Sequence, residues 1–113
     1  MWTVEFYEKE NGQKPAQDFL DDLDERFRAK VIREIDMLEA KGTEVREPFS
    51  KYLKEGIFEL RIQLASNISR VFYFFFAGRK IILTNGFIKK TQKTPAAELN
   101  KAKQYKLDYE RRN

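Results

Sequence analysis

The sequence predicts an α+β domain, and three observations carry that expectation. Apolar residues recur at three- and four-residue steps between Phe19 and Leu38, then at every second residue from Ile57. The helical pattern is grouped ahead of three strand-like runs instead of alternating with them, which points to an antiparallel meander with helices packed on one face. The length of 113 residues, 42% of them hydrophobic, suffices for one core but not two, so residues 1–113 are read as a single domain.

Trp2 to Tyr7 alternates apolar and polar residues, with Trp2, Val4 and Phe6 on one side, and predicts a first strand. Asn11-Gly12 is a turn signal, and Pro15 suits the first turn of a helix. Phe19, Leu20, Leu23, Phe27, Val31, Ile35 and Leu38 then form one apolar stripe, on two short helices or one bent one, with Gly42 as the stop. The acidic run Asp18, Asp21, Asp22, Asp24 and Glu25 falls on the solvated side of that stretch.

Residues 43–56, with Pro48 inside and Gly56 at the end, read as irregular. Ile57 to Leu64 places Phe58, Leu60, Ile62 and Leu64 on one face and Glu59, Arg61 and Gln63 on the other. Ile68 to Phe76 is apolar on both faces, as a strand covered on both sides requires. Lys80 to Phe87 is the last strand, and Thr94 caps a final helix with Pro95 at its first position. The predicted order is β-α-α-β-β-β-α.

The net charge of +4 is unevenly spread. Residues 1–60 hold 10 Lys/Arg against 15 Asp/Glu, while residues 61–113 hold 12 against 3. The basic half suits a polyanion, although a solvated basic helix would read the same way. The chain has no Cys and no His, which excludes disulfides and thiolate sites and removes the commonest general base and metal ligand. Any catalysis falls to Lys, Arg, Tyr, Glu, Asp or Ser, and no metal or cofactor is expected. The start of the chain lacks the basic and apolar regions of a signal peptide, and the longest apolar run, Val71 to Ala77, is too short to span a bilayer. A soluble, cytoplasmic protein with no membrane partner is expected.

Two features carry chemistry. With a turn at Ser66-Asn67, Gln63 would lie opposite Arg70, and Arg61 diagonal to it on the same face. Two like charges so placed persist when something compensates them: a phosphate, water, or Glu59 in a surface network. Lys89, Lys90 and Lys93 stand within five positions between a strand end and a helix start, where backbone N–H groups also favour anions. Lys51, Tyr52 and Lys54 join them only if the chain returns them to the same face. Such a set suits RNA cleavage without metal. RNA carries its own nucleophile in the 2′-hydroxyl, arginines can hold phosphate oxygens in pairs, and a crowded or desolvated lysine can transfer protons near neutral pH. The residue types leave open which group is acid and which is base.

Three stretches, Leu53 to Arg61, Arg70 to Phe74 and Asn85 to Pro95, resemble the RelE/ParE toxin superfamily, and more narrowly its phage-associated HigB-type branch. The last stretch is the most specific, because a phenylalanine, paired lysines, Thr-Gln and a Thr-Pro pair occur in one order. The resemblance implies a RelE-like fold with a central antiparallel sheet and ribosome-dependent cleavage of mRNA. It also implies a cognate helix-turn-helix antitoxin, through which alone the toxin would reach operator DNA. By position it assigns Arg61 and Arg70 to the scissile phosphate and Lys89 and Lys90 to the catalytic set. Lys51, Lys54, Lys93 and Tyr73 are the expected substrate contacts, with Tyr73 either stacking on substrate or packing in the core. The alternatives are a ParE-like toxin that binds DNA gyrase without catalysis, and a nucleic-acid-binding module without catalysis.

Overall fold

A computed structural model of the chain describes residues 1–90 and 93–113. It is α+β, with a five-stranded mixed sheet in the order β1-β5-β4-β3-β2. The chain runs β1 (Thr3–Phe6), α1 (Pro15–Asp21), α2 (Glu25–Lys41), a short 3-10 turn, β2 (Ser50–Lys54), β3 (Ile57–Leu64), β4 (Asn67–Phe76), β5 (Lys80–Ile88) and α3 (Ala96–Arg112). Strands β2 to β5 form the antiparallel meander, while β1 joins its edge parallel to β5, with Thr3 opposite Lys80 and Phe6 opposite Leu83. The two helices between β1 and the meander supply the long crossover that a parallel neighbour needs.

The apolar stripe divides at Asp22-Leu23-Asp24. The Asp24 side chain accepts from the Phe27 N–H at 2.9 Å and starts α2. Arg28 braces the corner, donating to the carbonyls of Leu20, Asp21 and Leu23. Gly42 ends α2 at φ 52°, and a Cβ there would meet the Trp2 indole at 1.9 Å. Ala16, Leu20, Phe27, Val31, Ile35 and Leu38 pack on Leu60, Ile62, Val71, Tyr73, Ile81 and Leu83 to form the main core.

Three features differ from the sequence-based expectation. The helices do not share one face. While α1 and α2 cover one side, α3 lies on the other, with Ala102 against Ile57 and Phe72 and Tyr109 against Tyr7, Phe74 and Ile82. The stretch read as irregular contains an additional strand, β2, which pairs with β3 from Ser50↔Leu60 to Lys54↔Ile57. The β3–β4 hairpin turns at Ala65-Ser66, so Arg61 faces Arg70 directly and Gln63 faces Ile68.

A bulge in β5 also shapes the site side of the sheet. Val71 pairs with Gly86 and Tyr73 with Leu83, leaving Thr84 and Asn85 opposite Phe72. Asn85 is thereby placed under the first turn of α3, where its amide donates to the Glu98 carbonyl at 3.1 Å. No helix among the described residues is long and apolar enough to cross a membrane.

Candidate functional site

Alternation along β3 and β4 puts Ile57, Glu59 and Arg61, with Ile68, Arg70 and Phe72, on the face shared with α3. That helix covers Ile57, Phe72 and Phe87 and stops short of the hairpin end. The uncovered end holds Glu59, Arg61 and Arg70. The two arginines form a direct cross-strand pair, a placement that like charges resist without an intervening anion.

The anion is Glu59, whose residue is only 1% exposed. One carboxylate oxygen accepts from Arg61 Nε at 3.4 Å, and the other lies 3.3 Å from Arg70 Nε. The second contact is an ion pair whose N–H points off line, since Arg70 Nε makes no well-aligned hydrogen bond. Thr94 donates its hydroxyl to the same oxygen of Glu59 at 2.9 Å. Thr94 is therefore not the helix cap expected of it. Pro95 occupies that position, and α3 starts at Ala96 without a side-chain cap. Glu59 was foreseen as a partner in a surface network, whereas the network is buried at its centre.

Lys89 enters from the end of β5, its amide donating to the Ile68 carbonyl at 2.8 Å. Burial pushes its ammonium below the usual lysine range, and Arg70 pushes it further. Glu59 partly offsets this, while Arg61 and Lys51 add to the lowering. Lys51 reaches the group because it stands opposite Glu59 on β2. For Arg70, burial is the chief cause that lowers the guanidinium, with Glu59 opposing it and Arg61 adding to it. One buried carboxylate thus sits among Arg61, Arg70, Lys51 and Lys89, which leaves the patch cationic. Glu47 also approaches Arg61, at 3.6 Å, but from an exposed position.

The other residues singled out in the sequence lie elsewhere or farther out. Lys90 and Lys93 are exposed, and Thr91 and Gln92 of the same motif lie outside the described residues. Lys54 is on the α3 side near Glu55 and Lys103, where Lys103 pairs with Glu55 at 2.9 Å. Tyr73 is 1% exposed in the core on the opposite face of the sheet, its ring stacked on Phe58 and its hydroxyl bonded to Ser50. Burial raises the phenol's pKa, and the bond to Ser50 lowers it. No ring face of Tyr73 is available for stacking on a substrate. Among the described residues no three His, Cys, Asp or Glu side chains stand close enough to hold a metal ion.

Thr94 and Phe49 were missed as contributors to this surface. Thr94 carried a helix-start signal that masked its tertiary partner. Phe49 sat in the stretch read as irregular, though its main chain is tied to the site: its carbonyl accepts from the Arg61 N–H at 2.8 Å.

A family model described as phage-derived protein Gp49-like (DUF891) matches residues 18–106, which include every residue of this cluster. No curated protein matches the chain significantly. With most of its length matched, the chain belongs to the Gp49-like family, a RelE-related, toxin-like family of toxin–antitoxin systems.

Proposed function

We propose that the chain is the toxin of a type II toxin–antitoxin pair, of the HigB-type branch, and that it cleaves translated mRNA on the ribosome. The observation that carries this reading is the direct Arg61–Arg70 pair around buried Glu59, with Lys89 desolvated beside it. Two guanidiniums held on one edge of a sheet face suit the non-bridging oxygens of a phosphodiester, and their planar forks match phosphate better than ammonium groups do. Glu59 fixes their orientation before substrate arrives, so little reorganisation is left for the reaction.

In the proposed step the 2′-oxygen of the RNA attacks the neighbouring phosphorus. The bond to the 5′-oxygen of the next nucleotide breaks, leaving a 2′,3′-cyclic phosphate and a 5′-hydroxyl. Arg61 and Arg70 neutralise the charge that builds on the phosphorane. Lys89, its pKa lowered mainly by burial, transfers a proton between this site and solvent. Lys51, Lys90 and Lys93 guide the flanking backbone, while Lys54 lies further along the same edge. A helix-turn-helix antitoxin neutralises the toxin by covering the cationic patch, and operator DNA is reached only through it. The site of action is the cytoplasm.

Growth and mRNA integrity after induced expression in a bacterial host test this reading, with the wild type beside Arg61→Ala. Growth arrest with cuts inside translated messages, lost in the variant, is expected. Arrest with intact mRNA would refute the ribonuclease and point to a gyrase-type toxin. The absence of arrest would leave a non-catalytic binding module.

A further inference from the structure

Beside the arginine pair lies a cavity of about 370 Å³, lined by Arg61, Arg70, Phe49, Gln63, Lys30 and Glu34. Its size falls within the range of small-ligand pockets, about 300–1,000 Å³. We propose that this cavity is the nucleobase subsite of the same site, with Phe49 as its stacking platform. The inference rests on the functional reading above and adds the part of the substrate that the arginines do not touch.

Three observations place a base here. First, Phe49 is 48% exposed although it is a large apolar side chain, and it faces a cavity instead of open solvent. A single exposed phenylalanine is ordinary on a protein surface. This one is held on both sides of its main chain, its N–H donating to the Arg46 carbonyl at 2.9 Å and its carbonyl accepting from the Arg61 N–H at 2.8 Å. The ring is thus set at a defined place relative to a phosphate-holding residue, as preorganised stacking requires.

Second, β2 pairs with β3 only as far as Ser50↔Leu60. Beyond Leu60 the outer edge of β3 has no paired strand, which opens the space between that edge and α2. Gln63 lies there, two residues after Arg61 and therefore on the same face, and it is exposed. Its amide offers both donors and an acceptor to a base edge. Third, the far wall carries Lys30 and Glu34, paired with each other at 3.5 Å on successive turns of α2. Together these supply an aromatic plane, edge-reading polar groups and a cationic rim. A peptide ligand would use the apolar surface and the unpaired strand edge but would leave the paired guanidiniums without an anion. A nucleotide uses all of them.

The test is an NMR titration of the purified full chain with each of the four nucleoside 3′-monophosphates, and with inorganic phosphate as the reference. Expected are ring-current shifts at Phe49 and the Gln63 amide with nucleotides alone, and tighter binding of nucleotide than of phosphate by about 5- to 150-fold. Phe49→Ala should bring nucleotide affinity down to that of phosphate without altering the phosphate affinity, while Phe49→Trp keeps the nucleotide preference. Equal binding of nucleotide and phosphate, with Phe49 unmoved, would overturn the base subsite and leave the arginine phosphate site standing. Binding of neither probe would overturn both.

Discussion

Replacing Glu59 with Gln keeps the shape and an acceptor for Thr94 but removes the charge between two facing guanidiniums. At the observed 3.3 Å and 3.4 Å, each contact has a Coulombic scale of about 5 kcal/mol at an effective dielectric of about 20. Desolvation of the charges cancels much of that, so the attraction is not itself the stability lost. Removing one partner of a buried pair costs about 3–5 kcal/mol, because the remaining charge is left uncompensated. Here the arginine side chains keep 26% and 11% of their surface exposed, so water takes over part of the role. The expected loss is at the lower end, about 3 kcal/mol. For a domain of this size that corresponds to a fall in Tm of roughly 9–15 °C. Thermal unfolding followed by circular dichroism reads it directly. Inorganic phosphate should raise the Tm of Glu59→Gln more than that of the wild type, since the anion fills the position of the lost charge; a ligand at 100 times its Kd adds about 2.7 kcal/mol. A variant that melts within about 2 °C of wild type would refute the assignment of Glu59 as the counter-ion of the pair.

Further outcomes follow from other parts of the molecule. Arg70→Lys keeps a charge but loses the fork, and cleavage should drop by about 10²–10³-fold, measured as the rate of loss of full-length message. Tyr73→Phe should cost about 1–3 kcal/mol in thermal unfolding, because Ser50 is left without its buried partner, yet leave growth inhibition intact; lost inhibition in a folded variant would restore Tyr73 to the substrate. Gly86→Ala brings a Cβ to 2.4 Å from Phe19 and should destabilise by about 1–3 kcal/mol in denaturant unfolding. The clamp of Tyr7, Asp108 and Arg112 should give stability two pH limits. Asp108 is held down at about 2, first by the Tyr7 hydroxyl, so its contribution is present above the ordinary carboxylate range and lost as pH falls toward 2. Tyr7 is pushed up to about 12 by burial and then by Asp108, so its contribution holds below pH 10 and is lost as pH rises toward 12. Asp108→Asn should flatten the acid limb of a Tm–pH profile, and an unchanged limb would remove Asp108 from the clamp.

Strands β3, β4 and β5 were legible because each has at least one buried face, which forces the period-two pattern seen in Phe58, Leu60 and Ile62. Strand β2 was not, because it is an edge strand on which Lys51, Tyr52 and Lys54 are exposed and Ser50 is the one buried residue. The hairpin register slipped for a related reason. Asn67 has the stronger local turn preference, yet the turn uses Ala65 at φ 56°. The ladder that sets Leu60 against Val71 outweighs a local preference. The two-sided apolar character of β4 already required cover on both faces, but a helix stripe does not say which face it will choose. At the site, the shared face of Glu59, Arg61 and Arg70 could be read from alternation alone. The burial of Glu59 could not, because it depends on Thr94, 35 residues away along the chain.

The parallel seam between β1 and β5 bears on timing. Thr3 pairs with Lys80 and Phe6 with Leu83, so β1 has no place in the sheet until the last strand has been made. At a synthesis rate of about 5–20 residues per second, that delay is roughly 4–15 s. Through that interval Trp2, Val4 and Phe6 have no sheet to join, and the Arg61–Arg70 hairpin has neither Lys89 nor Thr94 beside it. A chain interrupted before β5 therefore carries the arginines without the rest of their setting, and a nascent copy acquires its cationic site only near the end of its own synthesis.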